Sequence, residues 1–86
     1  MKDKITQQTF KIEVMLRDEV LDPQGEAIKK TLNVNGLNNI SNVRQGKIFE
    51  LKLSGNNIES IRKNVKTICQ DLLANPVIET YKIHEV

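Results

Sequence analysis

From Phe10 to Arg17 the chain alternates, with Phe10, Ile12, Val14 and Leu16 on one side and Lys11, Glu13, Met15 and Arg17 on the other. A period of two means a half-buried strand, so the fold must contain a sheet with one packed face and one wet face. The packed face needs a cover, which the following segments supply.

Asp22-Pro23 reads as a helix N-cap followed by proline at the first helical position, where a missing N–H costs nothing. Ala27, Ile28, Thr31 and Leu32 recur at helical spacing, and Gly36 after Asn35 supplies the left-handed residue that ends helices, so the first helix is predicted over 23–34. Ile40–Gln45 and Ile48–Leu53 read as two short strands joined through a turn at Gly46-Lys47. Phe49, Leu51 and Leu53 share one face of the second, and Ile48, Glu50 and Lys52 the other. Asn56-Asn57 opens a second helix with Glu59 as the acidic member of its cap. Its stripe is Ile58, Ile61, Val65, Ile68, Cys69 and Leu72, and Pro76 ends it. Val77–His84 is the last strand, with Val77, Tyr81 and Ile83 on one face.

The expected order is strand, helix, strand, strand, helix, strand. The economical packing is α+β: a single four-stranded antiparallel sheet with two helices on one face, the βαββαβ or ferredoxin-like plan. At 86 residues this is a single domain over 1–86, with residues 1–8 a polar N-terminal extension. So small a core, with Met15, Ile48 and Ile78 expected on the open face, predicts a homodimer or higher homo-oligomer. No stretch resembles a signal peptide or a membrane span, and the single cysteine makes no internal disulfide, which together predict a cytoplasmic protein.

The chemistry is sparse. His84 lies near the end of the last strand on the open side, a solvated residue rather than a catalytic base. Cys69 falls on the apolar stripe, an inert buried thiol. With one histidine and one cysteine there is no tetrahedral metal site. The turn Asp22-Pro23-Gln24-Gly25 has one glycine where a phosphate cradle needs several, and its aspartate competes for the helix N-terminus that an anion would use. Asp18-Glu19 stands where an acylphosphatase of this plan needs a phosphate loop, and repels phosphate. Arg62, Lys63 and Lys66 form a basic cluster, with Glu59 spaced to pair with Lys63 on a solvated helix face. Phe49 shares parity with the core, which leaves no aromatic platform for nucleic acid.

Three segments carry a family resemblance: Val20-Leu21-Asp22-Pro23-Gln24-Gly25 with Ala27-Ile28; Val43-Arg44-Gln45-Gly46-Lys47; and Leu72-Leu73-Ala74-Asn75-Pro76-Val77-Ile78-Glu79 with Tyr81. Together they resemble PurS, the small subunit of phosphoribosylformylglycinamidine synthase, over Phe10–Ile83. The resemblance implies a purine-biosynthesis ligase assembly. In it a glutaminase subunit (PurQ) releases ammonia, an ATP-dependent synthetase subunit (PurL) converts formylglycinamide ribonucleotide to the amidine, and a non-catalytic small-subunit homodimer bridges them. ATP and magnesium belong to that complex; no cofactor is expected in this chain. Nor is a nucleic-acid or membrane partner.

The residues nominated for partner contact are Asp22, Pro23, Gln24, Gly25, Gly46, Lys47, Asn75 and Pro76. Each also has a structural role: a cap for Asp22-Pro23, a turn for Gly46-Lys47, helix termination for Asn75-Pro76. Gly25 is disfavoured in a helical first turn, which points to a close backbone approach by another chain. The competing reading is a free-standing ACT-type small-molecule sensor, whose glycine-rich turn Gly25 matches only in part.

Overall fold

The computed structural model describes residues 6–86. Its elements are β1 (Thr6–Leu16), α1 (Pro23–Val34), β2 (Gly46–Gly55), α2 (Ile58–Ile68), a π-helical turn over Cys69–Leu73 that continues α2, and β3 (Glu79–Glu85). The fold is α+β, with β1 central in a three-stranded antiparallel sheet of order β2-β1-β3. Phe10, Ile12 and Val14 of β1 point into a core completed by Ile61, Val65, Cys69 and Ala74. Phe49, Leu51, Leu53, Tyr81 and Ile83 pack partly buried around it.

β1 begins earlier than its alternation, pairing Thr6 with Gly55 and Gln8 with Leu53. Part of the expected polar extension is therefore strand, and residues 1–5 lie outside the described residues. The periodicity was silent at Gln7 to Thr9 because polar side chains occupy both faces there.

The fourth strand expected over Ile40–Gln45 does not form. The outer edge of β2, its expected hairpin partner, stays unpaired, and the segment is held elsewhere: the Gln45 N–H donates to Asp22 Oδ2 at 2.7 Å. Gly46 and Lys47 accordingly make no hairpin turn but open β2, where Gly46 faces Met15 across the ladder. A side chain at Gly46 would run into Met15 Sδ and the Val14 carbonyl, so glycine is required there for contact rather than for a turn.

Nor do both helices cover the sheet. Only α2 packs on it. α1 runs outward, and the chain returns along it to Val43, whose carbonyl lies against Gly25. The helix ends in a Schellman motif: Gly36 is left-handed (φ 93°), its N–H donates to Asn33 O, and the Leu37 N–H donates to Leu32 O. Asp22 to Gln45 thus form an arm. The radius of gyration is 17.8 Å, against about 12 Å for a compact chain of this length.

Asn57 caps α2, accepting from the Ser60 N–H at 2.8 Å. Glu59 sits one position too early to complete a reciprocal cap, and it pairs with Arg62 at 3.5 Å rather than with Lys63. The π-turn, closed by the Ala74 N–H donating to Cys69 O, adds a residue to one turn and shifts the helical phase. Cys69 stays buried, but Leu72 is turned out to 78% exposure instead of continuing the stripe. β3 starts at Glu79, two residues later than expected, because Val77 and Ile78 are tied into a turn by Asn75, which accepts from the Val77 N–H through Oδ1 and from the Ile78 N–H through its carbonyl. Val77 is consequently exposed, and Ile78 lies off the sheet's open face. His84 is on that face, 3.2 Å from Glu13.

Candidate partner interface

The segments Val20–Gly25, Val43–Lys47 and Leu72–Glu79, far apart in sequence, meet at one end of the sheet, where the arm leaves it. Asp22 is their hub. Its Oδ1 accepts from the Gly25 N–H at 3.0 Å, capping α1, and its Oδ2 accepts from the Gln45 N–H, anchoring the returning chain. These two N–H groups, Gln45 first, together with the Arg44 guanidinium, hold the Asp22 carboxyl below the usual carboxylate range against the opposing effect of its burial. Gly25 is buried beneath it; a Cβ there would strike the Val43 carbonyl oxygen and Asp22 Oδ2. The close approach inferred from the sequence exists, but it comes from the same chain.

Two arginines brace the hub. Arg44 Nη2 donates to the Leu16 carbonyl at 2.6 Å and to the Arg17 carbonyl at 3.1 Å, joining the arm to the end of β1. Arg17 Nη2 donates to the Pro76 carbonyl at 2.8 Å, and the Arg17 N–H donates to the Ile78 carbonyl at 2.8 Å. Glu79 closes the frame. Its Oε1 accepts from the Asn75 N–H at 2.7 Å, and its Oε2 lies 3.6 Å from Lys47 Nζ. Lys47 also sits 5.9 Å over the Phe49 ring.

A groove of about 270 Å³ opens between these parts, floored by Val14 and Leu16. Asp22, Pro23, Gln24, Gly46 and Lys47 line it, and Gly25 lies under its rim, so six of the eight nominated residues gather here. Asn75 and Pro76 stand in the adjoining turn, joined to the groove by Glu79. Arg17, Arg44 and Glu79 were not nominated. Their importance rests on distant groups brought near by folding, backbone carbonyls for the two arginines and the Lys47 ammonium for Glu79, although Arg44 and Glu79 stand within the segments that carried the resemblance.

Chemically the frame is occupied with holding itself. Both Asp22 oxygens accept backbone N–H groups, and Glu79 is shared between Asn75 and Lys47. No nucleophile faces a base, and no cluster of metal-ligating side chains occurs among the described residues. The Cys69 thiol is pushed up by burial, away from reactivity. Such a site can position a partner's surface but offers no reacting group.

Comparison with known proteins gives the family. The model of the PurS family, phosphoribosylformylglycinamidine (FGAM) synthase, matches residues 9–86. The PurS subunit of Mycobacterium leprae is 47% identical over 72 residues, covering 84% of this chain and 87% of that protein. That of Methanocaldococcus jannaschii is 39% identical over 70 residues, covering 81% and 84%. Among solved structures, the Thermotoga maritima PurS subunit superposes with a TM-score of 0.87 at 34% identity, covering 96% of this chain and 95% of that one. A chain in the structure of PurLQS from the same organism gives 0.86 at 34% identity, covering 94% and 99%. The ACT-type alternative finds no support in these matches. With its three diagnostic segments joined in one frame and the match running through nearly its whole length, the chain belongs to the PurS family of FGAM synthase subunits.

Proposed function

We propose that this chain is the non-catalytic assembly subunit of phosphoribosylformylglycinamidine synthase in purine biosynthesis. As a homodimer in the cytoplasm it holds the glutaminase and the ATP-dependent synthetase together, so that ammonia released by the first reaches the second. The observation that carries this reading is the frame of Asp22, Arg44, Arg17 and Glu79: it gathers the family's segments into a hydrogen-bonded, polar-rimmed groove with no reacting group in it. The likeness to a chain of PurLQS supports the choice of partners. Asp22, Pro23, Gln24, Gly25, Gly46, Lys47, Asn75 and Pro76 form or support the partner-contacting end. ATP and magnesium are handled by the synthetase.

The test uses the three purified subunits. Glutamine-supported amidine synthesis, divided by the ammonia-supported rate, should rise on adding this chain, while the chain alone turns over neither ATP nor glutamine. A ratio unmoved by its addition, with both partners active, removes the bridging role.

A further inference from the structure

The outer end of α1 carries reactive chemistry that the assembly role does not use. Of the chain's nine asparagines only Asn35 precedes a glycine; valine, isoleucine, asparagine or proline follows the others. The backbone N–H that follows an asparagine can attack the side-chain amide carbon and close a cyclic imide. Glycine lets that nitrogen approach most closely, because no Cβ stands in the way. Asn35 and Gly36 are both exposed, with open space around Gly36. In the folded helix, however, both reacting groups are tied. The Gly36 N–H, the nucleophile, donates to the Asn33 carbonyl at 3.1 Å, and Asn35 Nδ2, the leaving group, donates to the Thr31 carbonyl at 2.9 Å. The Leu37 N–H, donating to the Leu32 carbonyl at 3.0 Å, holds the left-handed glycine in place. All three bonds lie at a helix terminus, where local opening is easiest.

We propose that Asn35 is a self-modifying site, released whenever the last turn of α1 opens. The Gly36 nitrogen forms a bond to Asn35 Cγ, the Cγ–Nδ2 bond breaks, and the amide leaves as ammonia, taking the Gly36 proton. Water then opens the imide. Cleavage of the bond between Cγ and the Gly36 nitrogen gives an aspartate side chain, and cleavage on the main-chain side gives isoaspartate, with the backbone routed through Cβ and Cγ. Water is the only co-reactant. Either product loses the Nδ2 donor to Thr31 and puts a carboxylate at the negative end of the α1 dipole, where the last turn has no basic residue to offset it. Isoaspartate also lengthens the backbone and displaces Gly36 from its Schellman geometry. The conversion runs one way. It loosens the outer end of the arm while the Asp22 hub, at the opposite end of α1, keeps its bonds to Gly25 and Gln45, so the state of α1 records the age of the chain.

The test incubates the whole wild-type chain in warm, mildly alkaline buffer, folded and in urea, and follows each asparagine by mass spectrometry of its peptides. Conversion is expected at Asn35 first. In the folded chain it should run about ten- to thirtyfold slower than in urea, the factor for freeing one or two hydrogen bonds of ordinary strength. Hydrogen exchange at the Gly36 amide should be slowed by the same factor, because both processes need that N–H released. In the converted chain the amides of residues 35–37 should lose protection while those of β1 and α2 keep theirs. Asn35→Gln, whose larger ring closes far more slowly, should hold its exchange pattern through the same incubation. Earlier conversion at another asparagine overturns the site. A folded chain that converts as fast as the unfolded one, or does not convert in the time that Gly36 exchange sets, overturns release by opening of α1. A converted chain whose arm exchanges as before, or an Asn35→Gln chain that loosens equally, overturns the effect on the arm.

Discussion

Gly25→Ala is the substitution in which ordinary helix propensity and this structure give opposite signs. In an unhindered helix the change stabilises by about 0.5–1 kcal/mol, through lower backbone entropy in the unfolded chain. Here the new Cβ would meet the Val43 carbonyl and Asp22 Oδ2. Neither can retreat freely, since Val43 is two residues from the Gln45–Asp22 hydrogen bond and Asp22 is the cap. Forcing a methyl into a packed contact costs about 1–3 kcal/mol, which outweighs the propensity gain and leaves a net loss of about 1–2 kcal/mol. For a domain of this size that is a melting temperature lower by about 5–15 °C, measured at fixed protein concentration to hold any oligomer constant. Gly36 provides the control: it is left-handed with open space around it, so Gly36→Asn should be tolerated, whereas Gly25→Asn should not. A Gly25→Ala protein as stable as wild type, or more so, refutes the packing argument.

Acid should loosen the arm before the core. The Asp22 carboxyl is depressed in the folded chain by the N–H groups of Gln45 and Gly25, so its contribution is complete above the usual aspartate range, near pH 4, and is lost as pH falls through the depressed value. Asp22→Asn should flatten that acid limb of a denaturation profile; an unchanged limb contradicts the hub role. Val65→Ala, at a fully buried core position, should destabilise by about 2 kcal/mol in urea unfolding, and a loss under about 0.5 kcal/mol would mean the core is looser than described. Glu85→Gln breaks the Arg62 pair at an exposed edge and should leave the urea midpoint almost unmoved, whereas a large shift would show that this pair secures β3.

Much of this was legible from local patterns. The Phe10–Leu16 alternation, the Asp22-Pro23 cap, the Asn35-Gly36 stop and the Ile61–Val65–Cys69 stripe each report on neighbours within a turn, and each stands in the structure. What failed depended on distant partners. Ile40–Gln45 has the composition of a strand, but its end is tied to distant Asp22 through the Gln45 N–H, and it does not fold back on the free edge of β2. Leu72 kept helical spacing in the sequence, while one extra residue in the π-turn rotated it outward. At the candidate interface the segments were visible singly. Their convergence was not, because it is made by Arg17 and Arg44 reaching carbonyls up to 59 residues away and by Glu79 meeting Lys47.

The placement of β1 also sets a timetable. It is the centre of the sheet, yet one of its two neighbours, β3, comes far later in the chain: Phe10 sits opposite Glu85, and the Val86 N–H donates to the Thr9 carbonyl. On a ribosome, Ile12 and Val14 must wait until β3 has left the exit tunnel before their second flank closes. Such long-range pairing makes folding slow and leaves the apolar side of β1 open during synthesis. A chain cut short within β3 would leave that flank of β1 unpaired, so quality control has reason to act on it at once.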